Sequence, residues 1–562
     1  MARPTNFSQA QGNVKLLDPP LGQSYERLEY FVQPDGMFAT VQPQDAGPNT
    51  AIIAKNVIIN DNGKFQIRRP WKRVFYDAAV IPIGIIGVTD ATGTGLLLLF
   101  HEAGIKYSID GGVNWSSATG AALGTTIVLM NTAMWGTGTL LFTTNAGTKV
   151  YTYDTTTHIY SEIAASAVAQ IMTVFGGRVM TATANSTTIT WSVKNNDTDW
   201  SGTGSGFEPL RLSAGLAVDD IIGLFPVNDT QMLIIRTGSV WIAELTGDVD
   251  APFTFNFLYK VNLASARSLA YATYGVYALG LDDIYLLTVS GAEDVGNDIT
   301  GGWINSDYTI YNQYQAVACY EALKDVFYVY IPFTSVDNAI QYLRGTDSGV
   351  TADQRVTDSA EDRIADYPLT NGTEVLAYHR KKKKWTYLSY NLALYSIASV
   401  NFRTPAIKGL VATTSHHQAF VEYRTDEVMP NNGNDEYDYS NTLVPVEAQL
   451  LTGTVGSQDK SHTGRIGKIE VDLMSGIITS QARSTTIRLY QTRSGPRITP
   501  AAAVTYCSKT AIVDSDGRTL QKINKSNNTA KFWQVDLRLG GCATYTLIGM
   551  YVYVERGAEA GR

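Results

Sequence analysis

The run Arg380-Lys381-Lys382-Lys383-Lys384, flanked by Tyr378 and Trp385, is the strongest local charge feature of this 562-residue chain. Consecutive cations of this kind have two principal uses. On a solvated hairpin tip they block edge-to-edge pairing of the strands behind them. Set around an axis by several subunits, they form a ring that touches phosphates with the salt-sensitive attraction of counterion release. Tips that face outward instead meet an acidic partner.

A second run, Ser108-Ile109-Asp110-Gly111-Gly112-Val113-Asn114-Trp115, follows the Asp-box pattern. Asp110 is expected to cap a hairpin turn through local backbone amides while Trp115 packs beneath, with Ser108 and Gly112 in the same turn. Its role is structural. In sialidase-like propellers such a box lies away from the catalytic face. Glycan hydrolysis of that kind needs an arginine cluster to grip a carboxylate and a Tyr nucleophile assisted by Glu, whereas the arginines here are scattered singly.

Other chemistry finds little support. No serine lies in a Gly-x-Ser-x-Gly context, and phosphate-loop and dinucleotide fingerprints are absent. His101, His158, His379, His416, His417 and His462 include one adjacent pair, but neighbours on a strand face opposite ways, which argues against a shared metal. Cys319, Cys507 and Cys542 lack metal-site spacing and cannot all pair within one chain, so a small buried apolar role is expected for each. No catalytic residue, cofactor or metal is expected.

The elements that must position these runs are hairpins. A short apolar strand, a tight polar turn and a strand carrying Tyr or Trp recur from Leu96 to Tyr423. The copies pair Leu96–Phe100 with Lys106–Ile109, Leu140–Thr144 with Val150–Tyr153, Arg178–Thr183 with Thr188–Val193, and Met232–Arg236 with Ser239–Leu245. Val276–Gly280 with Ile284–Leu287, Val326–Ile331 with Glu374–His379, and Leu410–Thr414 with Gln418–Tyr423 complete the series. Most starts fall roughly 40 to 60 residues apart, near one four-stranded blade. The fold class expected is all-β, a β-propeller of six or seven blades, because radial closure leaves only short edges exposed. A run of hairpins in sandwiches is the alternative.

Residues 1–50, rich in Gln, Pro, Asp and Gly, suit an extended arm that orders against a neighbouring subunit or domain. Residues 51–441 form the expected propeller, with a polar insertion at about 335–371 that would project from the rim, and a second polar stretch, Arg424–Asn441, follows. The acidic residues there lack the glycine and ligand order of a calcium loop. From about residue 442 alternating strands joined by long polar turns read as a C-terminal antiparallel sandwich, 442–562. The net charge of −8 does not indicate bulk nucleic-acid binding. No apolar stretch reaches ~18 residues, and Met1–Ala10 lacks an export signal, so a soluble, non-exported chain is expected.

Several segments together resemble the tail nozzle, also called tail hub or packaged-DNA stabilisation protein, of short-tailed bacteriophages. Ala54-Lys55-Asn56-Val57, Gly63-Lys64-Phe65 and Arg68-Arg69-Pro70 resemble the family's opening hairpin. Ile189-Thr190-Trp191-Ser192, Asp199-Trp200 and Asp219-Asp220-Ile221-Ile222-Gly223-Leu224 follow, leading into Leu233–Arg236 and Ser239-Val240-Trp241. Val375–Trp385 resembles the unit that closes the family's propeller, and Arg465–Leu473 with Phe532–Val554 its C-terminal sheet.

The likeness runs from about residue 51 onward, in order and pattern rather than in one signature motif. The insertion at 335–371 departs from it. The resemblance implies a homo-hexamer in the virion's short tail, assembled in the host cytoplasm and docked on the adaptor ring of the head-to-tail connector. Tail fibres or tailspikes and a needle or plug protein are the further partners it implies, with transient contact to double-stranded DNA in the channel. On their charge and position, Arg380 to Lys384 are expected to form a charged contact tip and the 335–371 loop a partner or gate element. A glycan-binding or glycan-degrading propeller, of the adhesin or tailspike kind, is the alternative that the Asp-box and the many tyrosines favour.

Overall fold

The computed structural model describes residues 25–37, 48–69, 71–77, 79–124, 129–145, 149–183, 186–211, 219–297, 299, 316–331, 373–390, 394–414 and 417–422, then the strands 435–437, 443–445, 448–452, 464–475, 483–492, 504–511, 518–524, 532–540 and 545–556. Regular structure among them is β-strand, apart from the two three-residue 3-10 turns Ala266–Ser268 and Arg380–Lys382. None of the described helices is long and apolar enough to cross a membrane.

Seven four-stranded antiparallel units follow one another along the chain. Blade 1 is Pro82–Thr89, Gly95–His101, Gly104–Ser108 and Ser116–Ser117. Blade 2 is Leu129–Trp135, Thr139–Thr144, Tyr151–Asp154 and Tyr160–Glu162. Blade 3 is Ile171–Phe175, Arg178–Ala182, Thr188–Trp191 and Gly206–Pro209. Blade 4 is Ile221–Pro226, Gln231–Arg236, Ser239–Leu245 and Phe253–Lys260. Blade 5 is Leu269–Ala272, Gly275–Leu279, Ile284–Thr288 and Gly291–Asp294. Blade 6 is Val317–Glu321, Val326–Tyr330, Thr373–His379 and Lys384–Tyr390. Blade 7 takes Leu394–Asn401, Lys408–Thr414 and Gln418–Glu422 from late in the chain and Trp71–Tyr76 from early in it.

The hairpins read from the sequence are the middle strands of these blades. They are the most apolar because neighbouring blades cover both their faces; Gly95–His101, for example, is buried along its whole length. Each joint but one carries an aromatic contact: Phe100 with Phe142, Trp191 with Phe253, Phe225 stacked on Tyr271, Tyr277 stacked on Phe327, Tyr390 against Trp71, and Phe75 against Trp115. Leu141, Met172 and Val179 fill the joint between blades 2 and 3. Phe402 of blade 7 lies on blade 1, where a Cβ at Gly95 would sit 2.3 Å from its ring. The ring of blades is closed, and Trp71–Tyr76 closes it. The unit 375–385, expected in that role, lies in blade 6 instead.

Closure leaves the inner strands with one backbone edge toward the axis, and side chains from neighbouring blades satisfy part of it. The Met172 amide donates to Asn131 Oδ1 at 3.4 Å and the Ile85 amide to Ser396 Oγ at 3.2 Å. Tyr271 of blade 5 reaches Asn131 of blade 2 and the backbone of Leu224. Tyr271 is 39% exposed, and desolvation pushes its hydroxyl up to about 12.

Of the remaining strands, Asp435–Tyr437 and Leu443–Pro445 pair with each other and the others form two stacked sheets. One has the order Val57–Ile59, Phe65–Ile67, Tyr545–Arg556, Gly464–Ser475, Arg518–Asn524, with Tyr25–Tyr30 along Tyr545–Arg556. The other runs Ala51–Lys55, Ala448–Thr452, Phe532–Gly540, Arg483–Thr492, Val504–Ala511, and a parallel bridge between Lys55 and Tyr387 joins it to blade 6. Val471, Met550 and Val552 from the first sheet share one core with Leu450, Val535 and Leu537 from the second, and with Tyr378 and Trp385 of blade 6.

One expectation is corrected here. The strands at 51–67 belong to these sheets and not to the propeller, because their apolar faces complete the C-terminal core. Within the 1–50 arm, Tyr25–Tyr30 pairs with the same chain's Tyr545–Arg556, and Phe31 and Met37 are buried. The remainder of the arm, residues 1–24 and 38–47, lies outside the described residues, as does the insertion at 335–371, whose flanking strands are the second and third of blade 6.

Candidate functional site

The basic run crowns the hairpin of Thr373–His379 and Lys384–Tyr390. Its turn is a single 3-10 turn that Lys383 ends in the left-handed region at φ 52°. Alternation along the strands sets the hairpin firmly. Val375 and Ala377 face blade 7, while Leu376 and Tyr378 face the shared core. The Trp385 indole donates to the Val295 carbonyl at 2.7 Å, and the Trp385 carbonyl accepts from the Met37 amide at 2.8 Å. His379 Nε2 accepts weakly from the Ile59 amide at 3.4 Å and lies 3.0 Å from Thr386 Oγ1. Burial, with the Lys324 charge nearby, pushes its pKa down to about 3, so the imidazole stays neutral and ties the sandwich to the propeller.

The five cations are not equivalent. Arg380 bonds Asp325 Oδ2 at 3.3 Å and lies 3.8 Å over the Tyr274 ring. Asp325 also accepts from the Tyr320 hydroxyl at 2.5 Å and the Tyr274 hydroxyl at 3.3 Å. Burial works against the Arg380 charge, but Tyr274 and Asp325 together hold its pKa above the ordinary value. Lys383 pairs with Glu293 at 3.3 Å and Lys384 with Asp35 at 3.6 Å. Lys381 and Lys382 are exposed and make no ion pair among the described residues. The sequence suggested one five-residue contact tip; folding divides it into an anchor, Arg380, two locally compensated lysines, and two presented ones.

Two clusters escaped sequence reasoning. Asn56, at φ 55°, turns the chain from one sandwich sheet into the other. Its Oδ1 accepts from the Ser389 amide at 2.7 Å and from Arg68 Nε at 2.9 Å. Arg68 Nη2 continues to the Ser389 carbonyl at 2.9 Å, and its guanidinium lies 4.3 Å over Tyr390. These are the residues of the opening-hairpin resemblance, and they fasten the sandwich to blade 6. The second cluster joins blades 6 and 7. Lys324 Nζ lies 3.2 Å from Glu321 Oε1 and 2.7 Å from Glu422 Oε2, while Tyr328 donates to Glu321 at 3.2 Å. Burial and then the Glu422 charge push Glu321 up to about 7 against the pull of Lys324. At 1% exposure the Glu321 carboxyl is a seam element rather than a group that meets a substrate.

The Asp-box has the geometry its sequence requires. Asp110 accepts from the amides of Val113 at 3.1 Å and Asn114 at 2.9 Å and from Ser108 Oγ at 2.7 Å, while Gly112 N donates to Ser108 Oγ at 2.8 Å. Slight desolvation raises the Asp110 pKa, but these bonds outweigh it and hold the value at about 2. The Trp115 indole donates to the Val74 carbonyl at 2.8 Å, so the box also pins blade 1 to the closing strand of blade 7. Cys319 is buried with its thiol pushed well up by burial, and of the adjacent histidines His417 has Nδ1 2.9 Å from the Val80 carbonyl while His416 lies outside the described residues. Among the described residues no group of His, Cys, Asp and Glu is arranged to hold a metal ion.

No known family's sequence pattern matches the chain, and no curated protein matches it. Among solved structures it is similar to the extracellular domain of a hybrid two-component system from B. thetaiotaomicron, at 9% identity and a TM-score of 0.37, over 64% of this chain and 41% of that one. BBS1N, in its complex with ARL6DN, is similar at 12% identity and a TM-score of 0.36, over 64% of this chain and 99% of that one. An ancestral GH74 enzyme is similar at 13% and 0.36, over 66% and 50%. The chain thus spans less than half of the first of these proteins. The propeller assignment itself rests on the strand pairing described above.

Proposed function

We propose that the chain is the nozzle subunit of a short phage tail, six copies of which ring the distal end of the portal–adaptor channel, retain packaged DNA and conduct it out at infection. The observation that carries this reading is the rigid union of a closed seven-bladed disc with a sandwich, through Asn56, Arg68 and a shared core, beneath a tip that presents Lys381 and Lys382. The ordered resemblance of the sequence to the nozzle family supports it. The propeller's own axis is crossed by Tyr271 and Asn131, so the duplex follows the axis of the ring of copies and not that of any blade set.

A conduit must guide DNA without binding it tightly. A net charge of −8 per copy keeps the wall weakly repulsive, and two presented lysines per copy supply a shallow ring of salt-sensitive attraction. The chain's part is mechanical: adaptor, fibres or spikes and a needle or plug bind its rim and ends, and movement of inward loops releases the DNA. Sedimentation and electron microscopy of the purified protein test this. Six-fold rings with an open centre, inert toward host polysaccharide, are expected. A monomer, or a trimer that binds or cleaves the sugar, refutes the reading.

A further inference from the structure

We infer that the outer edge of blade 4, Phe253–Lys260, is a contact between two copies of this chain, which pair their blades edge to edge into one continuous sheet. An outer strand has a partner on one side only, and its other row of backbone N–H and C=O groups is a template for a further strand. The other blades blunt that edge. The outer strands of blades 1, 2, 3 and 5 have two, three, four and four residues. That of blade 6 is joined by Ala51–Lys55, and that of blade 7 carries Lys72 and Arg73. Blade 4 ends in eight residues, uncharged from Phe253 to Tyr259 and flanked by the short edges of blades 3 and 5.

The sequence and register of this strand fit a second copy. Phe253–Phe257 pairs regularly with Trp241–Leu245, and the one register shift lies beyond it, between Val240 and Trp241. Thr254 and Asn256 are exposed, Phe255 is half-buried and Phe257 is 45% exposed, so a row of aromatic rings stands partly open at the rim. In antiparallel pairing about a two-fold axis at Asn256, Phe255 of each copy stands opposite Phe257 of the other, and residues opposite one another share a face. Two cross-strand aromatic pairs result.

The same register brings Lys260 of each copy near Pro252 of the other, beside Asp250 and Asp248. Both aspartates are exposed and make no ion pair among the described residues. The edge is thus complementary to itself in apolar surface and in charge, as a contact between identical patches requires. Such a contact is two-fold, whereas a six-membered ring is joined head to tail, so it stands whether or not the ring forms.

Sedimentation and native mass spectrometry of the full chain over a concentration series test it. An even number of copies is expected, and Phe257→Lys or Asn256→Lys, each placing a charge at the axis, should halve the mass. Hydrogen exchange at Phe253–Tyr259 should slow with rising concentration in the parent and in neither variant. Lys260→Asp should raise the dissociation constant by about tenfold, and adding Asp250→Lys should restore it. Phe207→Lys, on the outer strand of blade 3, should leave the mass unchanged. Circular dichroism checks that each variant is folded. A parent of unpaired copies, or folded variants that keep the parent mass, overturns the inference and leaves the edge to a strand of a different protein. A hexamer whose mass neither axial variant changes does so with the ring reading intact.

Discussion

Replacing Glu321 with Gln should flatten the pH dependence of stability. In the parent chain two carboxylates, Glu321 and Glu422, share the single ammonium of Lys324 at the joint of blades 6 and 7. Tyr328 donates to Glu321, Cys319 and Tyr390 lie in the same electrostatic neighbourhood, and His379, near Lys324, stays neutral. Burial raises the Glu321 pKa from 4.5 to about 7. Because the folded value exceeds the unfolded one, the associated stability is complete below the unfolded pKa, declines as pH rises toward 7, and is gone above it. A gap of that size corresponds to about 3 kcal/mol at most, without a discount for solvent because the group is 1% exposed. Glutamine keeps an acceptor for Tyr328, leaves Lys324 and Glu422 one-to-one, and cannot ionise. Urea unfolding between pH 4.5 and 8.5 should therefore show the variant gaining on the parent by up to about 3 kcal/mol across that window. Parallel curves for the two proteins would refute the argument. Glu422→Gln provides the converse, since Glu321 would then hold Lys324 alone and its titration should move to lower pH.

Deleting residues 1–37 should unfold the sandwich, since it removes the Tyr25–Tyr30 strand and buried Phe31 and Met37, each worth about 1.5–3 kcal/mol. A thermal midpoint unchanged by this truncation would contradict the strand pairing. Asn56→Ala should cost about 2–4 kcal/mol by orphaning the Ser389 amide and Arg68 Nε and straining φ, with Asn56→Gly recovering about 1 kcal/mol; chemical denaturation reads both. Asp110→Ala should destabilise the seam of blades 1 and 7 by about 1–2 kcal/mol, seen as faster hydrogen exchange at Val113 and Asn114. Lys381→Glu with Lys382→Glu should lower the salt slope of DNA binding by about 2 per engaged subunit, whereas Arg380→Gln should instead loosen the hairpin by losing Asp325 and Tyr274.

The middle hairpins of six of the seven blades were legible in the sequence because each is local: two apolar runs and a short polar turn specify the pairing within about a dozen residues, whereas blade 6 pairs its middle strands across the 335–371 insertion. The Asp-box was legible for the same reason, every donor to Asp110 lying within four residues. The outer strands were harder to see. Ser116–Ser117 is two exposed residues whose place is set by the strand beside it.

What tertiary structure alone decided is long-range. That Trp71–Tyr76 closes the ring against Gln418–Glu422, and that Ala51–Ile67 belongs with strands near the C-terminus, depends on which apolar faces remain uncovered once the blades have formed. The basic run shows the same division. Composition fixed the presence of five cations, but the acids that anchor Arg380 and compensate Lys383 lie 55 and 90 residues away, the first brought close by the folding of blade 6 and the second by the meeting of blades 5 and 6. Electrostatic energy depends on distance in space, and the sequence orders residues only along the chain.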